Sequence, residues 1–278
     1  VKLRLKEKSV LPGFGLSLGF TVFYLSLLVL VPLSALVLRS SELGLSGFIA
    51  TIRHPRVLAS FEVTFLSAFK AALINVVLGV TVAWFLVRGR FPLKRLADAL
   101  VDLPFALPTA VSGIALTALL SPNSTLGAAL GKLGIQVAFT TTGITIAMIF
   151  IGMPFVIRSV QPALADLSKE LEEASRSLGA SRSQTLWRVV LPLLAPSILS
   201  GFTLAFSRAL GEYGSVVFIA GNMPMKTEIA SLLIITKLEQ FDYAGATAIA
   251  VALLSLSLIS ILLINVFQAR SARYLGSA

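Results

Sequence analysis

QPALADLSKELEEASRSLGASRSQTLWRVVLP, residues 161–192, is the longest polar stretch in a chain otherwise dominated by apolar runs. Leu164, Leu167, Leu171, Ala174 and Leu178 recur at steps of three and four, which places them on one face of a helix. Asp166, Lys169, Glu170, Glu172, Glu173 and Arg176 fall on the other faces. Ser168 reads as an N-cap, with acids in the turn that carries the positive end of the helix dipole. Gly179, after Leu178, stands where a left-handed cap residue belongs. Ser181 and Gln184 form a capping box for a second helix. That helix carries Leu186, Val189 and Val190 before Pro192 bends the chain into the next apolar run. The stretch therefore reads as helix, glycine turn, helix. Three uses stay open on these grounds: a plain connector, an interfacial helix lying on lipid, or a lever whose apolar stripe docks a partner. The acid-rich first helix suits anionic lipid poorly.

Outward from this segment the chain is made for a bilayer. Of its 278 residues 56% are hydrophobic and 13% charged, and mean hydropathy is +0.91, whereas a soluble domain carries about 25% charge. A helix needs about 20 apolar residues to cross roughly 30 Å of hydrocarbon. Six stretches qualify, near 16–38, 62–87, 99–120, 139–160, 194–220 and 244–267. The expected fold class is an all-α, polytopic bundle of about six transmembrane helices, treated as one domain over residues 1–278. Helices are required because hydrocarbon offers no partner to an unpaired backbone group. Pro32, Pro104, Pro108, Pro154, Pro192 and Pro196 should kink or break the spans they enter. Ala244, Ala248 and Ala252 offer one small-residue face for helix packing, and Gly15 and Gly19 another.

The net charge of +10 sits between apolar runs, so it reads as topology and headgroup contact rather than nucleic-acid binding. With the N-terminus in the cytoplasm, the inside segments hold fifteen Lys and Arg residues and the outside loops six. The excess puts both termini and residues 161–192 inside. Lys2, Arg4, Lys6 and Lys8 before the first run mimic a signal peptide, but that run is long and lacks a clean cleavage site, so it is expected to be a retained span. Absence of cysteine excludes disulfides, thiolate metal sites and a cysteine nucleophile. The only histidine, His54, reads as a solvated loop residue, and no metal-ligand cluster or catalytic site is expected. Gly127 to Gly131-Lys132 falls one residue short of a P-loop and ends in Leu133.

Charge inside the spans is the remaining signal. Arg208 and Glu212 stand four residues apart within the expected fifth span, where a charge costs on the order of 3 kcal/mol. They read either as an ion pair locking helices or as a site where Arg208 offsets an anion in transit. Pro104 and Pro108, one turn apart with Phe105, Thr109, Ser112 and Gly113, read either as a kink or as a break lining a pore. Lys70 and Asn75 have no assigned role.

Glu173-Ala174-Ser175, three residues, Gly179, nine residues, then Val189, one residue and Leu191-Pro192 resembles the EAA loop of ABC importer permeases. Ser175 and Val189 depart mildly from the usual Ala and Ile. The chain as a whole resembles the sulfate/thiosulfate permeases, T-type. The residues that carry this are Asp102-Leu-Pro104-Phe105-Ala-Leu-Pro108-Thr109-Ala-Val-Ser112-Gly113, Arg208-Ala-Leu-Gly211-Glu212-Tyr213-Gly214, and Phe241-Asp242-Tyr243-Ala244. Molybdate permeases share the Arg208 to Gly214 element. The resemblance implies a type I importer permease, non-catalytic and without a bound cofactor, in the cell inner membrane. It implies a second homologous permease forming a heterodimer, two ATP-binding cassette subunits that bind ATP-Mg, an external sulfate-binding protein, and surrounding lipid; no nucleic acid is involved. Leu171, Glu173, Ala174, Leu178, Gly179 and Arg182 would then couple to the ATPase. Molybdate or tungstate uptake and a gradient-driven secondary transporter are the alternatives; the latter does not explain residues 161–192, and an intramembrane enzyme lacks its constellation.

Overall fold

The computed structural model describes residues 14–275; the basic Lys2, Arg4, Lys6 and Lys8 lie outside the described residues. The chain runs α1 (Phe14–Ser41), α2 (Gly44–Arg53), α3 (Pro55–Arg88), α4 (Lys94–Val101), α5 (Leu103–Ala106), α6 (Thr109–Leu120), α7 (Thr125–Lys132) and α8 (Thr141–Asp166). It continues through α9 (Lys169–Ser177), α10 (Arg182–Thr185), a π turn (Leu186–Val190), α11 (Leu191–Leu210), α12 (Val216–Ile219), α13 (Ala230–Glu239) and α14 (Tyr243–Leu275).

Among the described residues, five stretches are long and apolar enough to cross a membrane: Phe14–Ser41, Pro55–Arg88, Thr141–Asp166, Arg182–Leu210 and Tyr243–Val266. A sixth crossing arises if α6 and α7, bent by 53° to one another, count as one. At about 1.5 Å per residue the 34 residues of α3 exceed the hydrocarbon thickness, so Arg88 stands clear of it. His54 is exposed between α2 and α3, as expected of a solvated loop residue, and has a local use besides: its Nδ1 accepts the Arg56 N–H and caps α3, with Pro55 in the first turn where its missing N–H does no harm.

Two expected spans differ. Residues 99–120 do not form one helix, because Leu107 and Pro108 are extended (ψ 135° and 134°) between α5 and α6. Pro108 disfavours helical geometry in the residue before it, and Leu107 takes the extended form instead. The fifth crossing starts at Arg182 and ends at Leu210, rather than covering 194–220. It starts early because the chain does not bend at Pro192: the π turn, in which Leu191 N–H reaches the Leu186 carbonyl, carries the helix through a residue that has no N–H to give. Arg208 therefore lies in the last turn of α11 and Glu212 just beyond it.

The core is the packing of α3, α8 and α11. Small residues bring their backbones close: Gly79 lies under Val156, Gly152 under Asn75 and Ala205, and Gly201 under Val156. A second cluster joins Val57 and Phe61 of α3 to Ala230 and Leu233 of α13 and Ile249 and Ala252 of α14, so the Ala248/Ala252 face is buried as its spacing suggested. Gly15 and Gly19 make no such contact among the described residues: a Cβ added at either would meet no packing neighbour within 4 Å. Along α1 the only buried residue is Ser40, and the helix turns its apolar side chains outward.

Candidate functional site

Two separate constructions hold the residues singled out above. The first is the elbow between α8 and α11. α8 ends at Asp166, and Leu167 turns extended (ψ 115°). This corrects the single stripe: Leu164 is fully buried in α8, and only Leu171, Ala174 and Leu178 remain for the next helix. Ser168 Oγ accepts the Glu170 N–H at 3.2 Å and starts α9. At its other end Gly179 N–H bonds the Arg176 carbonyl (2.9 Å) and Ala180 N–H the Ser175 carbonyl (3.1 Å), the paired bonds of a Schellman cap. Gly179 sits at φ +87°, where a side chain is strained. Ser181 N–H then donates to Gln184 Oε1 at 2.8 Å and Gln184 N–H to Ser181 Oγ at 3.3 Å, closing the capping box of α10.

A step of 100° per residue divides α9 into two faces. Glu172, Ser175 and Arg176 turn toward the bundle; Leu171, Ala174 and Leu178 turn away. Leu178 is 89% exposed and Leu171 45%. Glu173, Gly179 and Arg182 are also exposed. The inner face carries the anchors. Arg88, at the end of α3, donates to the Leu167 carbonyl at 2.9 Å and stands 3.0 Å from Glu172. That second contact is an ion pair rather than a hydrogen bond, since Glu172 Oε1 and Arg88 Nε lack hydrogen-bond partners. The hydroxyls of Ser175 and Thr185 meet at 2.8 Å and tie α9 to α10. Ser175, a departure from the EAA pattern, thus has a use in this chain.

The second construction is a seam between the interrupted third span and the end of α11. Below it, Arg158 of α8 grips Asp102 with Nε (2.9 Å) and Nη2 (2.7 Å) and Asp98 with Nη1 (2.8 Å). The Arg158 hydrogen bond holds the Asp98 carboxyl below the usual carboxylate range, against partial burial that pushes the other way. From this clamp the chain enters α5, where Pro104 is buried and Phe105 meets Phe155 edge-on at 5.0 Å between ring centres. After the break, Thr109 packs on Gly214 and Gly113 on the Ser215 backbone, each too close to admit a Cβ on the glycine. Ser112 is buried and its hydroxyl has no partner among the described residues.

Glu212 organises the facing side. It is 1% exposed; Oε1 accepts the Ser215 N–H (2.9 Å) and Oγ–H (3.0 Å), and Oε2 pairs with Arg208. The Glu212 carbonyl accepts from Ser231 Oγ at 2.8 Å. A carboxylate that collects a backbone N–H three residues on diverts the chain from the helix, which is why α11 ends here. Arg208 remains one-third exposed. The structure thus brings Thr109, Ser112 and Gly113 together with the loop that Arg208 and Glu212 hold, and leaves Pro104 and Phe105 against α8.

Sequence reasoning missed four ion pairs that connect distant segments: Arg88 with Glu172, Arg158 with both Asp98 and Asp102, and Arg56 with Glu228 at the opposite end of the bundle. The last is two-pronged at 2.7 Å and 2.7 Å, with Glu228 1% exposed. Their partners lie 56 to 172 residues apart along the chain, so no local spacing announces them.

A polytopic bundle with a projecting capped elbow and a broken third span defines a transport-system membrane component. Residues 75–273 match the family described as the binding-protein-dependent transport system inner membrane component, and the chain belongs to that family. It is 48% identical over 267 residues to the sulfate transport system permease protein CysT of Escherichia coli (strain K12), covering 96% of each chain. To the protein of the same description in Synechocystis sp. it is 49% identical over 254 residues, covering 91% of this chain and 89% of the relative. Among solved structures, a bacterial alginate ABC transporter in complex with its alginate pentasaccharide-bound periplasmic protein shares the fold, with a TM-score of 0.72 and 17% identity over 93% of this chain and 95% of the other. The resemblance drawn from the EAA-like loop and the Arg208 to Gly214 element is borne out at the level of the family.

Proposed function

We propose that this chain is the T-type permease subunit of an ATP-driven sulfate importer, forming half of the pore with a second, homologous permease. The observation that carries the coupling role is the elbow: an apolar stripe of Leu171, Ala174 and Leu178 faces away from the bundle, while Arg88 and Ser175 fasten its other side. A rigid projection with a free apolar face is a docking surface for a separate ATP-hydrolysing subunit, two of which bind ATP-Mg below the pore. Movement of that subunit passes through α9 to α8 and α11, because caps at both ends stop the elbow from yielding. Glu173 supplies a polar contact at the docking face and Gly179 the close approach, while Arg182 supports the elbow from the side that meets α3 and α11.

The seam is the proposed translocation path. Arg208, paired but one-third exposed, offsets the charge of an anion passing the Thr109 to Gly113 break, while Glu212 keeps the empty path near neutral and holds its loop. Weak attraction is what conduction needs, since an anion held tightly would not leave. Specificity therefore resides in an external binding protein that delivers sulfate to the face opposite the elbow, with the elbow, the start of α1 and the end of α14 on the cytoplasmic side.

Reconstitution with the partner permease, the ATPase subunits and a binding protein loaded in turn with sulfate, thiosulfate, molybdate or tungstate tests this. ATP hydrolysis stimulated by the sulfate- or thiosulfate-loaded protein and silent with the others is the expected result. Solute movement by this chain without any nucleotide-hydrolysing partner would overturn the reading, and a response confined to molybdate and tungstate would reassign the cargo.

A further inference from the structure

A groove of about 820 Å³ opens between α3 and α11 at the elbow end of the bundle. Its floor is apolar, with Val77, Val80, Phe85, Leu191 and Ile198 along the two helices. Its mouth is of another kind: Arg176 and Arg182 of the elbow stand there with Glu172. Trp84 and Trp187, the only two tryptophans in the chain, flank the transition from apolar floor to charged mouth. Tryptophan collects at the headgroup level of a bilayer because its ring is apolar and its N–H polar. Arginine beside it at the cytoplasmic surface attracts anionic lipid.

We propose that this groove holds one anionic phospholipid, with an acyl chain along Val77, Val80 and Ile198 and its phosphate between Arg176 and Arg182. Charge decides the occupant. Glu172 does not cancel the two arginines, because its carboxylate already faces Arg88 at 3.0 Å, nearer than Arg176 at 3.8 Å. Arg182 makes no ion pair among the described residues. A neutral lipid would fill the floor and leave a basic mouth unanswered. Thr185 and Leu186 of the elbow also line the groove, so the lipid braces the elbow against α3 and the charge of the inner leaflet bears on the coupling geometry.

The proposal goes beyond the transport reading, and its test reads lipid rather than transport. The chain contains no cysteine, so Val77→Cys in a cysteine-free assembled complex carries a single photoreactive benzophenone, placed on the groove floor. The complex is set in nanodiscs of phosphatidylcholine alone or of an equal mixture with phosphatidylglycerol, irradiated, and its adducts are weighed by mass spectrometry. The expected adduct is lipid, enriched in phosphatidylglycerol over its share of the mixture. Each of Arg176→Gln and Arg182→Gln should lower that enrichment about fivefold, and Arg176→Lys with Arg182→Lys should restore it. An adduct on a partner permease chain would show that a protein helix fills the groove and would overturn the proposal. Equal labelling by both lipids, unchanged in the glutamine variants, would overturn it as well.

Discussion

The elbow and the seam use the same small devices, a glycine, a serine and a captured N–H, in opposite surroundings. In the elbow Ser168, Ser181 and Gly179 cap short helices in the open, and the most prominent side chain, Leu178, is 89% exposed. In the seam Glu212 does the capping at 1% exposure, with a buried serine on one side and an arginine on the other. Water can replace a lost cap bond of the elbow. Nothing replaces one in the seam. The elbow is thus suited to move as a stiff unit against other chains, and the seam to stay in register while anions pass it.

Removing the buried acid breaks the comparison hardest. Glu212→Ala leaves Arg208 without its partner and the Ser215 N–H without an acceptor, and should destabilise the chain by about 3 kcal/mol, read as a lowered midpoint of unfolding in detergent. Glu212→Gln keeps an acceptor for Ser215 and should lose clearly less. A neutral outcome for Glu212→Ala would mean that the seam is no more tightly fastened than the elbow.

The elbow should answer differently. Gly179→Val meets no neighbouring atom within 4 Å; its penalty is backbone strain at φ +87° of about 1 to 2 kcal/mol. The protein should insert and assemble while ATP-dependent uptake is lost, because the strain is relieved by turning α9 out of its docking angle. Wild-type uptake by this variant would refute the elbow as the coupling element. Ser175→Ala sharpens the contrast at the small end. It removes one hydroxyl contact with Thr185, worth about 1 kcal/mol or less, and approximates the usual form of the motif. Uptake should stay close to wild type; a loss as severe as that of Gly179→Val would shift the coupling role from the glycine turn to the Ser175–Thr185 link.

Much of this was legible in order along the chain. Ser168, Gly179 and the Ser181–Gln184 box were readable because each cap involves residues two to five apart, and backbone geometry at that range follows from residue type. Pro108 announced an interruption for the same reason, though whether it meant a kink or a full break depended on what received α6 afterwards. The stripe was overextended to Leu164 and Leu167 because spacing alone does not reveal that Leu167 turns extended when Arg88 takes its carbonyl. Pro192 misled in the other direction, since a π turn can absorb a proline without bending the helix.

By itself the sequence determined that the chain lives in lipid, that its crossings are helical, and that a capped helix–glycine–helix projects between two of them. Those follow from composition, run length and contacts between near neighbours. Only the tertiary structure decided which charges meet: Arg88 with Glu172, Arg158 with Asp98 and Asp102, Arg56 with Glu228, and the Thr109 to Gly113 break against Gly214 and Ser215. The energy of a buried ion pair or of a glycine under another backbone depends on distances set when α3, α8 and α11 pack together, and separation along the chain carries no record of them.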